Sequence, residues 1–497
     1  MSIKSLIAKK YARMLVRKLK HQQLHAIVIQ QQILADLIKK AKHTQFGLVH
    51  QFDQIASYET FKSLVPVRDY EDFQEPFLKD LIAGKPNVLW PGKPIYFCKT
   101  SGTTSGVKYI PITKDSMQHH INAAKTALLC YINETGNADF LNGKLIFLQG
   151  SPLLHQKSGI ATGRLSGIVA HHVPAYLQAN RLPSFETNCI EDWETKLDAI
   201  VAETFHQNMT LISGIPPWVQ MYFDKLIQQS NGQAIKDIFK NFSLFVYGGV
   251  NFEPYRAKIE QSIGKKIDTI ETYPASEGFI AFQDTQNEAG LLLNINAGIF
   301  FEFIPVENYF DEKPVRLTLA EIELEKNYAL ILSTNAGLWA YSIGDTIKFV
   351  SKSPYRIKVT GRIKHFISAF GEHVIGEEVE FALMTAAKEI NLVIAEFTVA
   401  PQVNPIDSGL PYHEWFIETA QNISDLPAFA ARVDELLQTK NVYYKDLING
   451  KVLRTLQIKI LPAGTFINYM KKEGKLGGQN KVPRLSNDRK IADQLIG

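Results

Sequence analysis

From about residue 90 to residue 350 the chain alternates short apolar, β-rich runs with helical stretches, and this alternation constrains the fold more than any other feature. The strand-like runs are Lys144–Gln149, Leu244–Tyr247, Ile267–Thr272, Ile299–Pro305, Ile322–Leu324 and Ala329–Thr334. Strands interleaved with helices bury their apolar faces as a sheet covered by helices, so an α/β body with a strand-rich later part is predicted. At 497 residues the chain is too long for one hydrophobic core, and two to four domains are expected.

After Gly361 the order changes. Two short strands near Arg356–Thr360 and His365–Ser368 precede a helix whose Val379, Leu383, Ala386 and Ile390 form a stripe. Strands follow at Leu392–Ala400 and Glu414–Ile417, then a helix at Pro427–Thr439, a strand at Leu453–Leu461 and a glycine- and lysine-rich tail. This reads as a small two-layer α+β domain, residues 361–497, joined to a large domain, residues 1–360, by a short boundary near Gly361–Lys364. Residues 1–44 form a helical arm without proline. Leu24, Ile27, Leu34 and Ile38 share one face there, and Ile7, Tyr11, Met14 and Leu15 form the apolar side of a first helix expected to pack on its own domain.

Hydrophobic residues make up 45% of the chain and charged residues 21%, which excludes wholesale disorder. The 54 basic and 50 acidic residues balance too closely for nucleic acid to be the main partner. The charge is unevenly spread: the first twenty residues hold seven Lys or Arg and no acid, and residues 471–490 hold seven against Glu473 and Asp488, which leaves an acidic body. Cys98, Cys130 and Cys189 form no CxxC pair, which excludes a disulfide framework or zinc cluster and suits a reducing cytoplasm. No apolar run approaches the length of a membrane span, so no stable membrane insertion is expected. The chain is expected to work as a monomer.

The strongest chemical signal is Thr100-Ser101-Gly102-Thr103-Thr104-Ser105-Gly106-Val107-Lys108. It puts five hydroxyls, two glycines and a lysine in nine positions. Glycines let successive N–H groups face one anion, hydroxyls add donors and the lysine adds charge, so the composition is that of a phosphate cradle; a plain flexible turn fits the loop taken alone equally well. It is not a Walker A loop, because Val107 separates Gly106 from Lys108. Thr272-Tyr273-Pro274-Ala275-Ser276-Glu277 delivers a ring, a hydroxyl and a carboxylate to a strand end, where α/β folds place ligands. Tyr247-Gly248-Gly249-Val250 ends another strand with bare backbone suited to a flat base, and Tyr341-Ser342-Ile343-Gly344-Asp345 holds an acid after a glycine turn.

Taken in order, these segments resemble the adenylate-forming superfamily. Thr100–Lys108 is similar to its TSGTTGxPK loop, Tyr273–Glu277 to YGxTE, Tyr341–Asp345 to YRTGD, and Gly361–Glu380 to GRxDxxIKxxGxRIxxxEIE. Within it the chain resembles the Gretchen-Hagen-3 auxin-responsive family of acyl-acid amido synthetases. Phe61–Val67 ahead of Tyr70-Glu71-Asp72, Ile110-Pro111 after the loop lysine, and Gln479-Asn480-Lys481-Val482-Pro483-Arg484 carry that likeness over nearly the whole chain.

The resemblance implies a large domain that binds ATP and the acyl acid, with a small mobile lid. Ser101, Gly102, Thr103, Thr104 and Lys108 would hold the ATP phosphates, Gly248, Gly249 and Tyr273 would bound the adenine, and Asp345 would bind the ribose. Ser276 would bond a phosphate or the acyl carboxylate, Glu277 would ligate Mg²⁺, Lys364 would be the hinge and Lys481 would reach the α-phosphate. A carboxylate attacking that phosphate brings anion to anion, so Mg²⁺ and lysine must neutralise charge and hold the groups in line. The acyl-adenylate so formed would pass its acyl group to an amino acid.

Ser368 and His373 replace residues of the superfamily's thioester-forming state, which favours an amide product over that of an acyl-CoA ligase. A nucleotide-binding interaction protein without catalysis is the other reading, against which intact Glu277, Asp345 and Lys481 stand. Ser342 stands where YRxGD has arginine, and Pro274 replaces the flexible residue after the tyrosine. Trp218, after Pro216-Pro217, and Phe279 are candidates for an acyl pocket wall, though a structural turn packed by one Trp reads equally well. His119-His120, His171-His172 and His413-Glu414 lack the spacing of a metal site.

Overall fold

The structure, a computed structural model, describes residues 3–101, 107–173, 178, 180–250, 252–363, 366–367, 372, 374–407, 409–476, 481–486 and 488–496. The strands are β1 (Tyr96–Ser101), β2 (Val107–Ile112), β3 (Lys144–Phe147), β4 (His155–Lys157), β5 (Ile160–Gly163), β6 (Arg181–Leu182), β7 (Met209–Ser213), β8 (Leu244–Gly248), β9 (Asp268–Pro274) and β10 (Phe279–Phe282). They continue with β11 (Leu291–Leu293), β12 (Ile299–Pro305), β13 (Asn327–Thr334), β14 (Tyr341–Lys352), β15 (Tyr355–Arg362), β16 (Phe366–Ile367), β17 (Val374–Ile375), β18 (Glu396–Gln402), β19 (Tyr412–Glu418) and β20 (Gln457–Leu461).

The main sheet has the order β12-β13-β14-β15-β11-β10-β9-β8-β7-β3-β6. From β6 to β9 its strands are parallel, with Leu145 beside both Arg181 and Leu211, and Gly248 beside Thr272. Strands buried on both faces are mostly apolar, as β7 and β12 are apart from Thr210, Ser213 and Glu302. The parallel strands all end at one edge, with Gln149, Gly214, Gly249 and Ala275 just beyond. A second sheet has the order β2-β1-β5-β4, with β1 and β2 antiparallel.

Two compact units emerge. One is Met1–Val250 with Gly264–Val359, and the other is Asn251–Ile263 with Thr360–Gly497. In the second, β18-β19-β20 form a sheet whose Phe397 and Trp415 pack with Val379 and Leu383 of the helix Gly376–Glu389 and Val433 and Leu437 of the helix Leu426–Lys440. The chain after residue 461 is more ordered than a tail. It forms the helices Thr465–Lys472 and Lys490–Ile496, and Leu485 bridges Val399 at the edge of β18.

Several sequence expectations are corrected here. Ile322–Leu324 is not a strand: only Leu324 bridges, to Phe349, and Glu325 turns the chain at φ +60°. The apolar side of the helix Ile3–Leu24 is not Ile7, Tyr11 and Met14, which are exposed. Ser5 and Ala12 are buried instead, and Ala8, Leu15, Val16 and Leu19 pack with Ala12 against Ala123, Ala127 and Tyr131 of the helix Lys114–Thr135. Small side chains at positions 5, 8 and 12 let the two helices approach closely, and Leu15, Val16 and Leu19 supply the bulk of the contact further along. Leu24 and Ile27 are exposed because the helix breaks at His25 and a new one starts at Ala26 with its own face, Ala26, Gln30, Leu34, Leu37, Ile38 and Ala41. Ile390 is also exposed, because its helix ends at Glu389 and Asn391 turns at φ +53°.

Candidate active site

The carboxyl edge of the parallel strands gathers most of the described candidate residues. Gly248 ends β8 so close to β9 that a Cβ there would stand 2.3 Å from the Thr272 carbonyl oxygen, and only glycine fits. Gly249 follows at φ +80°, a conformation glycine adopts without strain. Thr272 Oγ1 donates to the Tyr247 carbonyl at 2.9 Å, tying the two strand ends together.

β9 and β10 are joined by a tight turn. Ala275 N–H donates to the Gly278 carbonyl at 2.9 Å and Gly278 N–H donates back at 3.2 Å, which places Ser276 and Glu277 at the tip. Ser276 Oγ accepts from the buried Cys98 thiol of β1 at 3.1 Å. Burial and the Glu277 carboxylate push that thiol up to about 12, and the same two causes raise Tyr341 well above its ordinary value. The Glu277 carboxylate at the turn thus lies within electrostatic reach of both groups.

Asp345 reaches the same region from β14 through a bulge. Ile343, Gly344 and Asp345 oppose the single residue Leu330 between the pairs Ala329–Thr346 and Ile331–Ser342, and Gly344 takes φ +81°. Asp345 Oδ2 accepts from the Tyr273 hydroxyl at 2.6 Å, so the acid of one motif orients the ring of the other. Ser342 Oγ accepts from Tyr309 at 2.8 Å and its N–H donates to the Arg68 carbonyl at 2.8 Å.

Lys108 sits opposite Thr100 in the β1–β2 hairpin. Its Nζ is 3.4 Å from Glu71 Oε1 and 5.1 Å from the centre of the Tyr70 ring, and the Tyr70 hydroxyl accepts from Tyr109 N–H at 2.9 Å. Tyr70 and Glu71 thus fix the loop lysine, a role the sequence reading did not give them although it singled out the Tyr-Glu-Asp triplet. Ser101 closes β1; Gly102, Thr103, Thr104 and the hinge candidate Lys364 lie outside the described residues.

The two proposed pocket-wall residues are core residues. The Trp218 ring is buried 4.6 Å from that of Trp193, and Phe279 is buried beside Phe282. Lys481 belongs to the second unit, where the segment after it is anchored. Thr398 donates to the Pro483 carbonyl at 2.7 Å, Val399 N–H to the Arg484 carbonyl at 2.9 Å, and Arg484 pairs with Glu396 and reaches Tyr255 at 3.0 Å.

The arrangement suits ATP with Mg²⁺. Asp345 presents a carboxylate and Lys108 a cation. No cluster of three metal-binding side chains occurs among the described residues. Mg²⁺ arriving on nucleotide phosphates needs only one or two protein carboxylates, and Glu277 at the turn tip fits that need.

Comparison with known proteins gives the family and the fold. The GH3 family N-terminal domain matches residues 15–184, its central domain 292–362 and its C-terminal domain 377–490. The chain belongs to the GH3 family. Jasmonoyl–L-amino acid synthetase JAR6 of Nicotiana attenuata is 22% identical, covering 92% of this chain and 90% of that protein. Indole-3-acetic acid-amido synthetase GH3.5 of Arabidopsis thaliana is 20% identical, covering 92% and 88%. The solved structure of the GH3.15 acyl acid amido synthetase superposes with a TM-score of 0.80 at 16% identity over 97% of this chain and 95% of that one, a likeness of fold.

Proposed function

We propose that the chain is an ATP-dependent acyl-acid amido synthetase. It activates a carboxylic acid as acyl-AMP with release of pyrophosphate and transfers the acyl group to the amine of an amino acid. The observation that carries this reading is the meeting of Tyr273 and Asp345 beside the Ser276–Glu277 turn, in a chain of this family. Jasmonic and indole-3-acetic acid are named for its relatives, and they are the first acids to try.

The residues divide the work as the charges demand. Gly248 and Gly249 give the adenine a flat wall, Tyr273 flanks it, and Asp345 accepts from the ribose hydroxyls. Ser101, Gly102, Thr103, Thr104 and Lys108 hold the phosphates, with Glu71 keeping the lysine in place. Mg²⁺, held by Glu277, supplies charge neutralisation at the phosphates when bound. Ser276 orients the incoming carboxylate, and Lys481 offsets the charge that grows on the α-phosphate. No covalent protein nucleophile is needed.

The test is carboxylate-dependent exchange of pyrophosphate into ATP over a panel that includes jasmonate, indole-3-acetate and benzoate. Amino acids and CoA then compete as acceptors of the preformed adenylate. Exchange followed by amide formation is expected; no exchange with any acid, together with no ATP binding, would refute the reading, and a thioester product would replace it with that of an acyl-CoA ligase.

A further inference from the structure

The carboxyl end of β3 collects positive charge that the proposed adenylation chemistry leaves unused. Arg164 follows Gly163, whose register partner is Cys98, and so stands next to the thiol that bonds Ser276. A Cβ built on Gly150 would lie 2.9 Å from Arg164 Cδ and 3.8 Å from both Arg164 Nε and Ser166 Oγ. Glycine at position 150 therefore gives the arginine its path past the end of β3. Among the described residues the Arg164 guanidinium has no carboxylate and no hydrogen-bond acceptor.

Among the described residues, two neighbouring cations meet only neutral groups. Lys196 Nζ donates to the carbonyls of Gln149 at 3.1 Å and Asn188 at 2.7 Å. Arg181 Nη1 donates to the Ala170 carbonyl at 3.4 Å and the guanidinium lies over the Phe147 ring. Burial lowers the pKa of Arg164 and Arg181 and brings Lys196 down to about 8, the signature of cations removed from water without an anion to offset the cost. Among the described residues Arg181 Nε, Ser166 Oγ and Gln149 Nε2 are buried without a hydrogen bond, and Gln149 is 93% buried.

A half-buried guanidinium, an amide N–H and a hydroxyl, all without acceptors, fit a planar anion with several lone pairs. We propose that Arg164, with Ser166 and Gln149, forms a carboxylate-binding subsite at the end of β3, beside Cys98 and Ser276, which takes a carboxylate of one of the two organic substrates. This rests on the amido synthetase reading for its place in the reaction. Two sources share the chemistry: the carboxylate of the acid being activated and the α-carboxylate of the accepting amino acid.

Steady-state kinetics of Arg164→Gln and Arg164→Lys separate them. Loss of a charge-assisted pair raises the KM of the substrate concerned by about ten- to a hundredfold, with kcat, the KM for ATP and the melting temperature little changed and the lysine variant partly restored. A raised KM for the acid in pyrophosphate exchange, run without amine, assigns the subsite to the acid. Unchanged exchange with a raised KM for the amino acid assigns it to the acceptor. Unchanged KM for both, or a raised KM for ATP alone, overturns the proposal. Calorimetric titration of benzoate, indole-3-acetate and glutamate into wild type and Arg164→Gln needs no turnover, so it decides the subsite even if exchange is absent and the proposed function falls. At least tenfold weaker binding of one carboxylate supports the subsite, while equal binding, or no binding to wild type, overturns it. Should Arg164→Gln fail to fold, Ser166→Ala is read in the same assays, where a severalfold rise in the same KM supports the proposal and none overturns it.

Discussion

A single hydroxyl links two of the motifs. Tyr273 Oη donates to Asp345 at 2.6 Å, so Tyr273→Phe removes one bond to a carboxylate and keeps the ring. A bond to a charged acceptor is worth roughly 1.5–3 kcal/mol, and loosening the hold on Asp345 costs part of that in nucleotide affinity. The KM for ATP is expected to rise about three- to tenfold with kcat nearly unchanged, measured by exchange at varied ATP. His120 makes a second residue-scale case. It is 4% exposed, its Nδ1 has no partner among the described residues, and burial lowers its pKa to about 4. The unfolded chain binds this proton near pH 6.5 and the folded one only near 4, so stability falls as pH drops from 6.5 to 4 and the effect is complete below that. His120→Leu should flatten that limb by up to about 3 kcal/mol, measured by urea unfolding at pH 7 and pH 4.5. Both residues show what sequence reveals. Tyr273 and Asp345 are legible because each stands in a motif, yet their bond spans 72 positions and has no local signature. Arg164 stands in no motif; only its lack of an acceptor in three dimensions marks it.

At the scale of elements, the segment from Tyr58 to Val67 is seated by one buried ion pair. Arg316 Nη2 is 2.7 Å from Glu302 Oε1 of β12, and both side chains are at most 4% exposed. Tyr58 donates to Glu302 at 3.0 Å, and Arg316 donates to the carbonyls of Lys62 and Val65. This gives Phe61–Val67 a structural reason to read as a hallmark: its carbonyls at Lys62 and Val65 are acceptors for a buried guanidinium. Arg316→Leu leaves Glu302 buried without its cation, where burial already raises its pKa. A loss of about 3–5 kcal/mol is expected in urea unfolding, and Glu302→Gln with Arg316→Leu should recover part of it. Element type was the most legible level, since strands buried on both faces and long capped helices carry strong apolar patterns. The face of the first helix was not, because its packing uses Ala8 and Ala12 while Ile7 and Met14 stay in solvent. Periodicity reports bulk, and close helix contacts select small residues.

At the scale of the whole molecule, the described residues assigned to the nucleotide fall in one compact unit and Lys481 falls in the other. Gly248, Gly249, Tyr273, Glu277, Asp345 and Lys108 lie in Met1–Val250 with Gly264–Val359. On the proposed reading ground-state nucleotide affinity is expected to belong to that unit, while a cation that acts on charge developed during adenylation affects rate alone. Lys481 is exposed, and the chain after it is held through Pro483 and Arg484, so replacing it disturbs little packing. Lys481→Ala should keep the rise in melting temperature produced by AMP, and ATP affinity should stay within about threefold. The exchange rate should fall by a factor of about 10² to 10³, the loss seen when one charge-stabilising donor is removed from a transition state. Equal loss of affinity and rate would show that the lysine holds ground-state nucleotide, and an unchanged rate would remove it from the chemistry.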